Sequence, residues 1–286
     1  MKISSLQKGL VGHWTMSQDS LQSATVLADK TPYENKGTIY GATFTTDRKG
    51  NANSAMSFDG VDDYIDCGSN SSLAFGTGNF TVSIWFKANT LSGAQSLIGT
   101  QINSGNYRGW MIANYLSNKL RFEGRDASGS EIAEFDFTET GKWHHFVGVR
   151  KGLILIAYID GIIGNSSNGT VGDIPFLNKL LIGARPNPPS SFFNGSIDDV
   201  RIYNRALSAE EIKLLYESYN PNLNIGNYFI DPRDGTRYKT VQIGNQIWMA
   251  ENLKYLPSVS PSSVGSEIDP FYYVYGYQGT DILAAK

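Results

Sequence analysis

The chain has 286 residues, of which 41% are hydrophobic, 18% charged and 12% aromatic. Disordered proteins have fewer aromatic and more charged residues, so this composition excludes that class. The formal net charge is −3, and the longest basic runs are the dipeptides Arg48-Lys49 and Arg150-Lys151. Because nucleic-acid binding needs a basic surface, we expect no nucleic-acid partner.

Cysteine content and apolar runs exclude two further classes. The single cysteine, Cys67, excludes an internal disulfide framework and a cysteine-based metal site. No apolar stretch approaches the ~20 residues that cross a bilayer, so we predict no membrane span. The N-terminal segment, Met1–Leu6, lacks the apolar region of a signal peptide and does not identify a compartment.

Short strands dominate the chain from Gly9 to Arg205, where β-branched or aromatic runs are separated by Gly, Asn, Asp or Ser. The runs predict strands at 10–16, 38–45, 55–59, 64–67, 80–88, 96–101, 109–115, 119–124, 132–137, 143–151, 153–159, 180–184 and 195–203. Between 80 and 86 the even-numbered residues are apolar, which marks a central strand of one sheet. The pattern predicts an all-β fold, a two-sheet antiparallel jelly-roll sandwich.

One helix is predicted after the last strand, over 208–216. Ser208 and Glu211 form a capping box at its start. Ile212, Leu215 and Tyr216 would form a buried stripe that covers one end or edge of the sandwich.

Composition also predicts the division into domains. Residues 1–219 form the sandwich, and 220–227, polar and interrupted by Pro and Gly, form a linker. Residues 228–286 are rich in aromatic residues and form a small second domain. About sixty residues are marginal for an independent core, so we expect this domain to be partial and the chain to be a piece of a larger one.

Five motifs in the first domain resemble the laminin-G-like, concanavalin-A-like jelly-roll family of bacterial type. They are Gly9–Trp14, Ser57–Ile65, Lys142–Val147, Tyr158–Gly161 and Asn194–Ser208. The resemblance implies two antiparallel sheets packed face to face over about 210 residues.

A second resemblance concerns Asp234–Leu253, which is similar to the start of the Fibrobacter-type major paralogous domain of bacterial surface and secreted proteins. That family has no established chemistry. The resemblance implies an exported, modular bacterial protein located outside the cell or on its surface.

The alternation of the last strand predicts a buried carboxylate, which a metal ion could neutralise. In the last strand Asp198 shares a face with Val200 and Ile202, and a carboxylate that faces the core is unfavourable by several kcal/mol unless it is neutralised. A structural Ca²⁺ is one solution, because calcium takes six to eight oxygen ligands from such polar loops. An ion pair from Asp198 to Arg185 is the alternative.

The family resemblance suggests which residues would hold that ion. It implies a structural Ca²⁺ bound by Asp29, Asn35 and Asp198, with the first two in the loop 29–37. Pro32-Tyr33 stands where the family has Gly-Asn, a departure that affects the site. A simple capped turn at Asp29 is the alternative.

Catalytic motifs are not found in the sequence, and we predict a protein that is not an enzyme. A retaining glycosidase on this fold needs two carboxylates about 5 Å apart, and the nearest string, Glu267–Phe271, lies outside the sandwich and contains Pro270. His144 and His145 are adjacent in a predicted strand, so they point to opposite faces and cannot hold one metal together.

Two loops carry the residue types that recognise sugars, namely aromatic rings with amide and guanidinium donors. The predicted ligand-binding residues are Asn106, Tyr107, Arg108, Trp110, Phe192 and Phe193. The structural alternatives stay open: Trp110 starts a core strand, and Phe192 or Phe193 closes the end of the sandwich.

The function expected from these observations is a non-catalytic extracellular binding module, monomeric within a larger chain, that recognises a glycan or cell-surface polysaccharide and carries a structural calcium ion. The alternative is a structural or adhesive spacer with no specific glycan ligand. A polysaccharide-active enzyme ranks third, because it rests on analogy of fold alone.

Overall fold

The structure is a computed structural model that describes residues 6–102, 107–115, 118–176, 178–219, 228–230, 237–243 and 246–249. It divides into two compact units. One is Leu6–Leu223, and the other comprises Met1–Ser5 and Asn224–Lys286. The predicted linker, 220–227, lies outside the described residues.

The larger unit is built almost entirely of strands. In chain order they are β1 (Leu10–Trp14), β2 (Leu21–Ser23), β3 (Val26–Leu27), β4 (Gly37–Tyr40), β5 (Thr43–Thr45), β6 (Ala55–Asp59), β7 (Tyr64–Asp66), β8 (Phe80–Ala88), β9 (Gln95–Gly99), β10 (Gly109–Tyr115), β11 (Lys119–Arg125), β12 (Ser130–Asp136), β13 (His144–Lys151), β14 (Ile154–Ile159), β15 (Ile162–Ser166), β16 (Leu181–Ile182) and β17 (Asn194–Tyr203). Two short 3-10 helices, Gln18–Ser20 and Ser71–Leu73, precede the α-helix α1 (Ala209–Tyr219).

These strands form two antiparallel sheets, which confirms the predicted fold class. The eight-stranded sheet has the order β15-β14-β13-β8-β17-β6-β5, and β1 also pairs with β17. The nine-stranded sheet has the order β12-β11-β10-β9-β16-β7-β4-β3-β2. Every pairing between these strands is antiparallel.

The main core lies between the two sheets. As the alternation predicts, the even-numbered residues 80–86 of β8 are buried in it. Gly148 of β13 faces the ring of Phe122 from the other sheet, and a Cβ at this glycine would lie 2.6 Å from that ring. Glycine therefore permits the close approach of the two sheets at this point.

The helix α1 packs on the outer face of the eight-stranded sheet. Its Ile212 and Leu215 are 0% and 1% exposed and join a second apolar cluster with Val147, Val149 and Tyr203. The ring of Tyr216 stacks on Trp85 of β8 with centroids 5.7 Å apart. The predicted buried stripe is confirmed, although it covers the outer face of the sheet rather than one end or edge of the sandwich.

A β-bulge in β17 corrects the predicted orientation of Asp198. The register shifts between Asp198 and Arg201, and Asp199 has φ +41°. Ile197 and Val200 are both in the core, with two residues between them instead of one. Because the inserted residue breaks the alternation, Asp198 pairs with Trp85 and lies on the outer side of the sheet.

Most predicted strands are present, with three differences. The segment predicted as one strand over 38–45 is divided into β4 and β5, which belong to different sheets. β2 and β3 are too short to show alternation. β15 was missed because all five of its residues are exposed at the edge of a sheet, so no apolar face marks it.

The C-terminal unit is described only in part. It contains an antiparallel sheet of three strands, β18 (Tyr228–Ile230), β19 (Arg237–Ile243) and β20 (Gln246–Met249), in that order. Within the described residues of the chain, no helix is both long and apolar enough to cross a membrane.

Candidate functional site

The outer face of the nine-stranded sheet carries aromatic and polar side chains, and we call it the open face. Leu120 and Phe122 of β11 are in the core, so the residues between and after them, Arg121, Glu123 and Arg125, point outward. By the same alternation the open face includes Tyr40, Tyr64, Met111, Ala113 and Tyr115. The corresponding face of the other sheet carries α1.

Three aromatic side chains form a strip at one end of the open face: Tyr40 of β4, Tyr64 of β7 and Phe192. Tyr40 and Tyr64 are directly paired across the strands and stack with centroids 4.6 Å apart. The ring of Phe192 lies 6.5 Å from Tyr64. Burial, and then Tyr40 and Asp66, raise the pKa of the Tyr64 phenol, so it is a neutral hydroxyl at physiological pH.

A groove lies beside this aromatic strip, which contributes Phe192 to it. Its first part has a volume of about 330 Å³ and is lined by Gly60, Thr90, Ser92, Ala94, Gln95, Ser191, Phe192 and Asn194. A smaller second part is lined by Tyr115, Arg121, Arg185 and seven other residues. Ala94, Gln95 and Ser191 line both parts.

At the far end of the groove three guanidinium groups surround one carboxylate. Arg121 and Arg125 lie 2.8 and 3.5 Å from the carboxylate of Glu123, which is 3% exposed. Arg185 donates to the side-chain oxygen of Gln101. Burial lowers the pKa of Arg185; Glu123 opposes this effect, and Arg121 and Arg125 add to it. We call Arg121, Arg125 and Arg185, with Glu123, the arginine cluster.

Two tyrosine rings stack on the arginine cluster. Tyr107 is 43% exposed, and its ring lies 5.5 Å from the guanidinium carbon of Arg185 and 5.9 Å from that of Arg125. The ring of Tyr115 lies 3.9 Å from the guanidinium carbon of Arg121. These are cation–π contacts, which position the guanidinium groups and leave aromatic edges at the surface.

The first predicted ligand loop is only partly on this surface. Tyr107 belongs to the arginine cluster's surface, whereas Arg108 is half-buried and its carbonyl accepts the N–H of Ile102. Trp110 is 2% exposed and packs 5.6 Å from Phe80, so the prediction that it contacts a ligand is wrong. It begins β10 on the core side. Asn106 lies outside the described residues.

Of the two residues predicted in the second ligand loop, one lines the groove and the other lies in the core. Phe192 is half-buried and lines the groove. Phe193 is 1% exposed and lies in the core, 6.4 Å from Phe58. The prediction that Phe193 contacts a ligand is therefore wrong, because adjacent residues of this extended segment point in opposite directions.

The predicted calcium ligands Asp29 and Asn35 are brought together, but their polar groups bind each other and the backbone. The carboxylate of Asp29 accepts from the N–H groups of His13, Thr31 and Asn35, at 2.9 to 3.0 Å, and from the Thr31 hydroxyl at 2.7 Å. The amide of Asn35 donates to the carbonyl of Val11 at 2.7 Å and exchanges hydrogen bonds with Ser72. This is the capped turn of the alternative interpretation.

Asp198, the third predicted ligand, is in an ion pair with Arg48. The partner named in the alternative interpretation, Arg185, lies in the arginine cluster instead. Arg48 also lies 3.5 Å from Asp199 and stacks on Trp85. A cation at Asp198 would have to replace the Arg48 guanidinium, so these residues do not fit a calcium ion in this arrangement.

Asp59, Asp62 and Asp63 also place carboxylate oxygens within 4.8 Å of one another. Two of these residues are exposed, and Asp59 and Asp63 accept backbone N–H groups of their own turn. The cluster is a hydrogen-bonded turn, and it carries no metal assignment.

Sequence reasoning missed most of this site. Arg121 and Glu123 alternate with Leu120 and Phe122, so their outward direction was readable from the strand pattern. The proximity of Arg121 and Glu123 to Arg185 could not be predicted from the sequence, because it depends on the order of strands in the sheet.

Comparison with known proteins agrees with the fold. Residues 59–213 match the family described as the concanavalin A-like lectin/glucanases superfamily. No curated protein matches the chain in sequence. The match does not extend to 234–253, whose resemblance to the Fibrobacter-type domain stays a prediction.

Several solved structures share the fold. The botulinum neurotoxin serotype D binding domain has a TM-score of 0.59 and 16% identity, over 76% of this chain and 53% of that one. Domain 4 of AbnA, a GH43 extracellular arabinanase from Geobacillus stearothermophilus, solved with arabinotriose, has a TM-score of 0.51 and 19% identity, over 72% and 98%. A Trypanosoma rangeli sialidase has a TM-score of 0.56 and 19% identity, over 73% and 32%.

Identities this low show the fold alone, and the chain spans about half the length of the neurotoxin domain. The family match, in contrast, covers more than half of the chain and contains the strands β7 to β17. The chain belongs to the concanavalin A-like lectin/glucanase superfamily.

Proposed function

We propose that the sandwich is a non-catalytic extracellular module that binds carbohydrate in the groove on its open face. The observation that carries this proposal is the aromatic strip at the mouth of a polar groove. Aromatic rings pack against the C–H faces of sugars, while hydroxyl and amide side chains bond to sugar hydroxyls. Tyr40, Tyr64 and Phe192 supply the rings, and Thr90, Ser92 and Ser191 line the groove with hydroxyl groups.

The comparisons support binding as a function of this fold. One similar structure is a toxin receptor-binding domain, and another was solved in complex with arabinotriose. The arabinanase from which that domain comes is extracellular, which supports the same location here. We propose that the module acts as a monomer within a larger chain and binds a glycan or cell-surface polysaccharide.

A binding role is favoured over catalysis by the chemistry of the groove. Glycoside hydrolysis uses two carboxyl groups on either side of the scissile bond. None of the described residues that line the groove is Asp or Glu. The nearby carboxylate of Glu123 is engaged by two guanidinium groups.

The proposal predicts that Tyr40→Ala and Phe192→Ala each weaken glycan binding about tenfold, because aromatic anchors supply more than 1 kcal/mol each in binding sites. Binding to a glycan array, followed by calorimetry on the best oligosaccharide, measures the loss. Tyr33→Ala is a matched control, since Tyr33 and Tyr40 are both 44% exposed and Tyr33 is not part of the aromatic strip.

Melting temperatures of all three variants must equal that of the parent for the comparison to hold. Equal loss in the control and the test variants would contradict the proposed site. No binding to any glycan on a broad array would favour the alternative, a structural or adhesive spacer.

A further inference from the structure

We infer that Gln95 and Asn114 are positioning residues of the groove, which hold the loop 90–94 as a wall whose backbone N–H groups face a ligand. These N–H groups would donate to acceptor oxygens of the sugar. The inference rests on the proposed function and adds a second contact region to it. Its evidence is separate from the aromatic strip, because it comes from β9, β10 and the loop between β8 and β9.

Two buried side-chain amides hold four consecutive carbonyls of this loop from inside. Gln95 is 5% exposed and Asn114 is 1% exposed, and the two residues are paired across β9 and β10. Their amide nitrogens donate at 2.8 to 3.3 Å, Gln95 to the first and third of the four carbonyls and Asn114 to the second and fourth. The carbonyls are those of Thr90, Leu91, Ser92 and Gly93.

The direction of these carbonyls fixes the direction of the N–H groups in the loop. In a planar trans peptide the C=O of one residue and the N–H of the next point in opposite directions. The N–H groups of residues 91–94 therefore point away from the buried amides and towards the surface, where Ser92, Gly93 and Ala94 are exposed. The N–H of Ser92 is accepted by the Thr90 hydroxyl at 3.2 Å. The wall thus presents backbone donors and turns its backbone acceptors inward.

Gln95 also fixes a second segment of the groove, 191–194. Its Oε1 accepts the N–H of Asn194 at 3.0 Å. The N–H of the next residue, Ser96, donates to the carbonyl of Ser191 at 2.7 Å. Ser191 has φ +51°, a backbone conformation that persists in a non-glycine residue only where its surroundings hold it. Ser191 and Asn194 line the first part of the groove together with Thr90, Ser92 and Ala94.

The polar atoms of Gln95 are used within the protein, so this residue acts through the segments that it holds. Its nitrogen has two N–H donors, and both are directed to loop carbonyls. Asn114 uses its two donors in the same way, while its Oδ1 has no hydrogen-bond partner among the described residues. Because the loop is already ordered, binding does not have to order it, and this preserves affinity.

Backbone amide NMR spectra of the full chain test the positioning role of Gln95. Gln95→Glu keeps the acceptor for Asn194 but loses the donors for the loop, so resonances of 90–94 should move while those of 193–194 change little. Gln95→Met keeps the length of the side chain and loses both functions, so both segments should move. Identical changes in the two variants, or none in either, would overturn the inference.

Calorimetry tests whether the loop contacts the ligand, with the array oligosaccharide that the parent chain binds most tightly. We expect Gln95→Glu and Asn114→Asp each to weaken binding about tenfold, because the released loop must then be ordered on binding. Ser208→Ala is the control for lost stability, since it removes a capping hydrogen bond of α1 on the other sheet. Its affinity should equal that of the parent. Saturating the parent with the oligosaccharide should also shift the N–H resonances of 91–94.

The outcomes separate this inference from the proposed function. Unchanged affinity in Gln95→Glu, or loop resonances that do not respond to the oligosaccharide, would overturn the inference and leave the aromatic strip as the binding site. Equal weakening by Gln95→Glu and Ser208→Ala would overturn it as well, since only stability would then matter. A parent chain that binds no glycan on the array would overturn the proposed function, and the inference with it.

Discussion

Single residues on the outer face of the eight-stranded sheet show how the protein holds charge away from water. Asp199 accepts from His13 at 2.8 Å and from Arg201 at 3.0 Å, and it is 5% exposed. Burial by itself would raise the pKa of Asp199, but Arg201, His13 and Arg48 lower it below the usual range of a carboxyl. The cluster is a structural network of ion pairs on this face of the sheet.

His145 lies beside this network and gives stability a dependence on pH. Burial lowers the pKa of its ring from 6.5 to about 3, and Ser83 bonds its Nε2 at 2.8 Å. The unfolded chain therefore takes up a proton more readily than the folded one. This contribution to the free energy of unfolding is complete above pH 6.5 and is lost as the pH falls towards 3, by at most about 1.4 kcal/mol per pH unit.

We expect His145→Gln to reduce that slope between pH 6 and pH 4. Urea unfolding of parent and variant at a series of pH values measures the difference between their slopes. Parallel curves would show that His145 is not the group responsible.

At the scale of elements, the boundary of α1 is a local property of the chain. Glu211 N–H donates to the Ser208 hydroxyl at 3.3 Å, and the Ser208 N–H donates to the Glu211 carboxylate at 3.0 Å. This is the predicted capping box, and it is confirmed. The capping residues are close in sequence, so their geometry needs no distant contact.

Ser208→Ala should lower the free energy of unfolding by about 1 kcal/mol, because one N–H at the start of the helix loses its acceptor. Glu211→Gln keeps an acceptor but loses the ion pair with Arg205, which is partly exposed, so its loss should be smaller. Denaturant unfolding compares the two. A larger effect of Glu211→Gln would show that the ion pair, not the cap, stabilises the helix.

At the scale of the whole molecule, the two sheets differ in what lies on their outer faces. The eight-stranded sheet carries α1 on its outer face, whereas the nine-stranded sheet presents the groove. Of the predicted calcium ligands, Asp198 lies on the helix-bearing sheet in an ion pair with Arg48.

Calcium at Asp29, Asn35 and Asp198 stays a prediction that a melting experiment tests. Because Arg48 and backbone N–H groups already compensate these residues, we expect EDTA to leave the melting temperature unchanged. A bound ion would instead add about 2.7 kcal/mol at a hundredfold excess over its dissociation constant. A fall in EDTA that Ca²⁺ restores, and that is absent in Asp198→Asn, would re-establish the metal site.

Features that depend on neighbouring residues along the chain could be predicted before the structure was known. The alternation of β8, the capping box of α1 and the five family motifs each predicted a feature that the structure contains. In β11 the outward direction of Arg121 and Glu123 follows from the same alternation.

Two features could be seen only in the tertiary structure: where the alternation of inward and outward side chains fails, and which strands are adjacent in each sheet. A bulge in β17 places Asp198 on the outer side of its sheet. Trp110 and Phe193 were expected to bind a ligand, but both side chains are buried in the core. The arginine cluster joins residues 121, 125 and 185, and the aromatic strip joins 40, 64 and 192. The physical reason is that side-chain direction is set within a strand, whereas register and strand order are set by packing between distant segments.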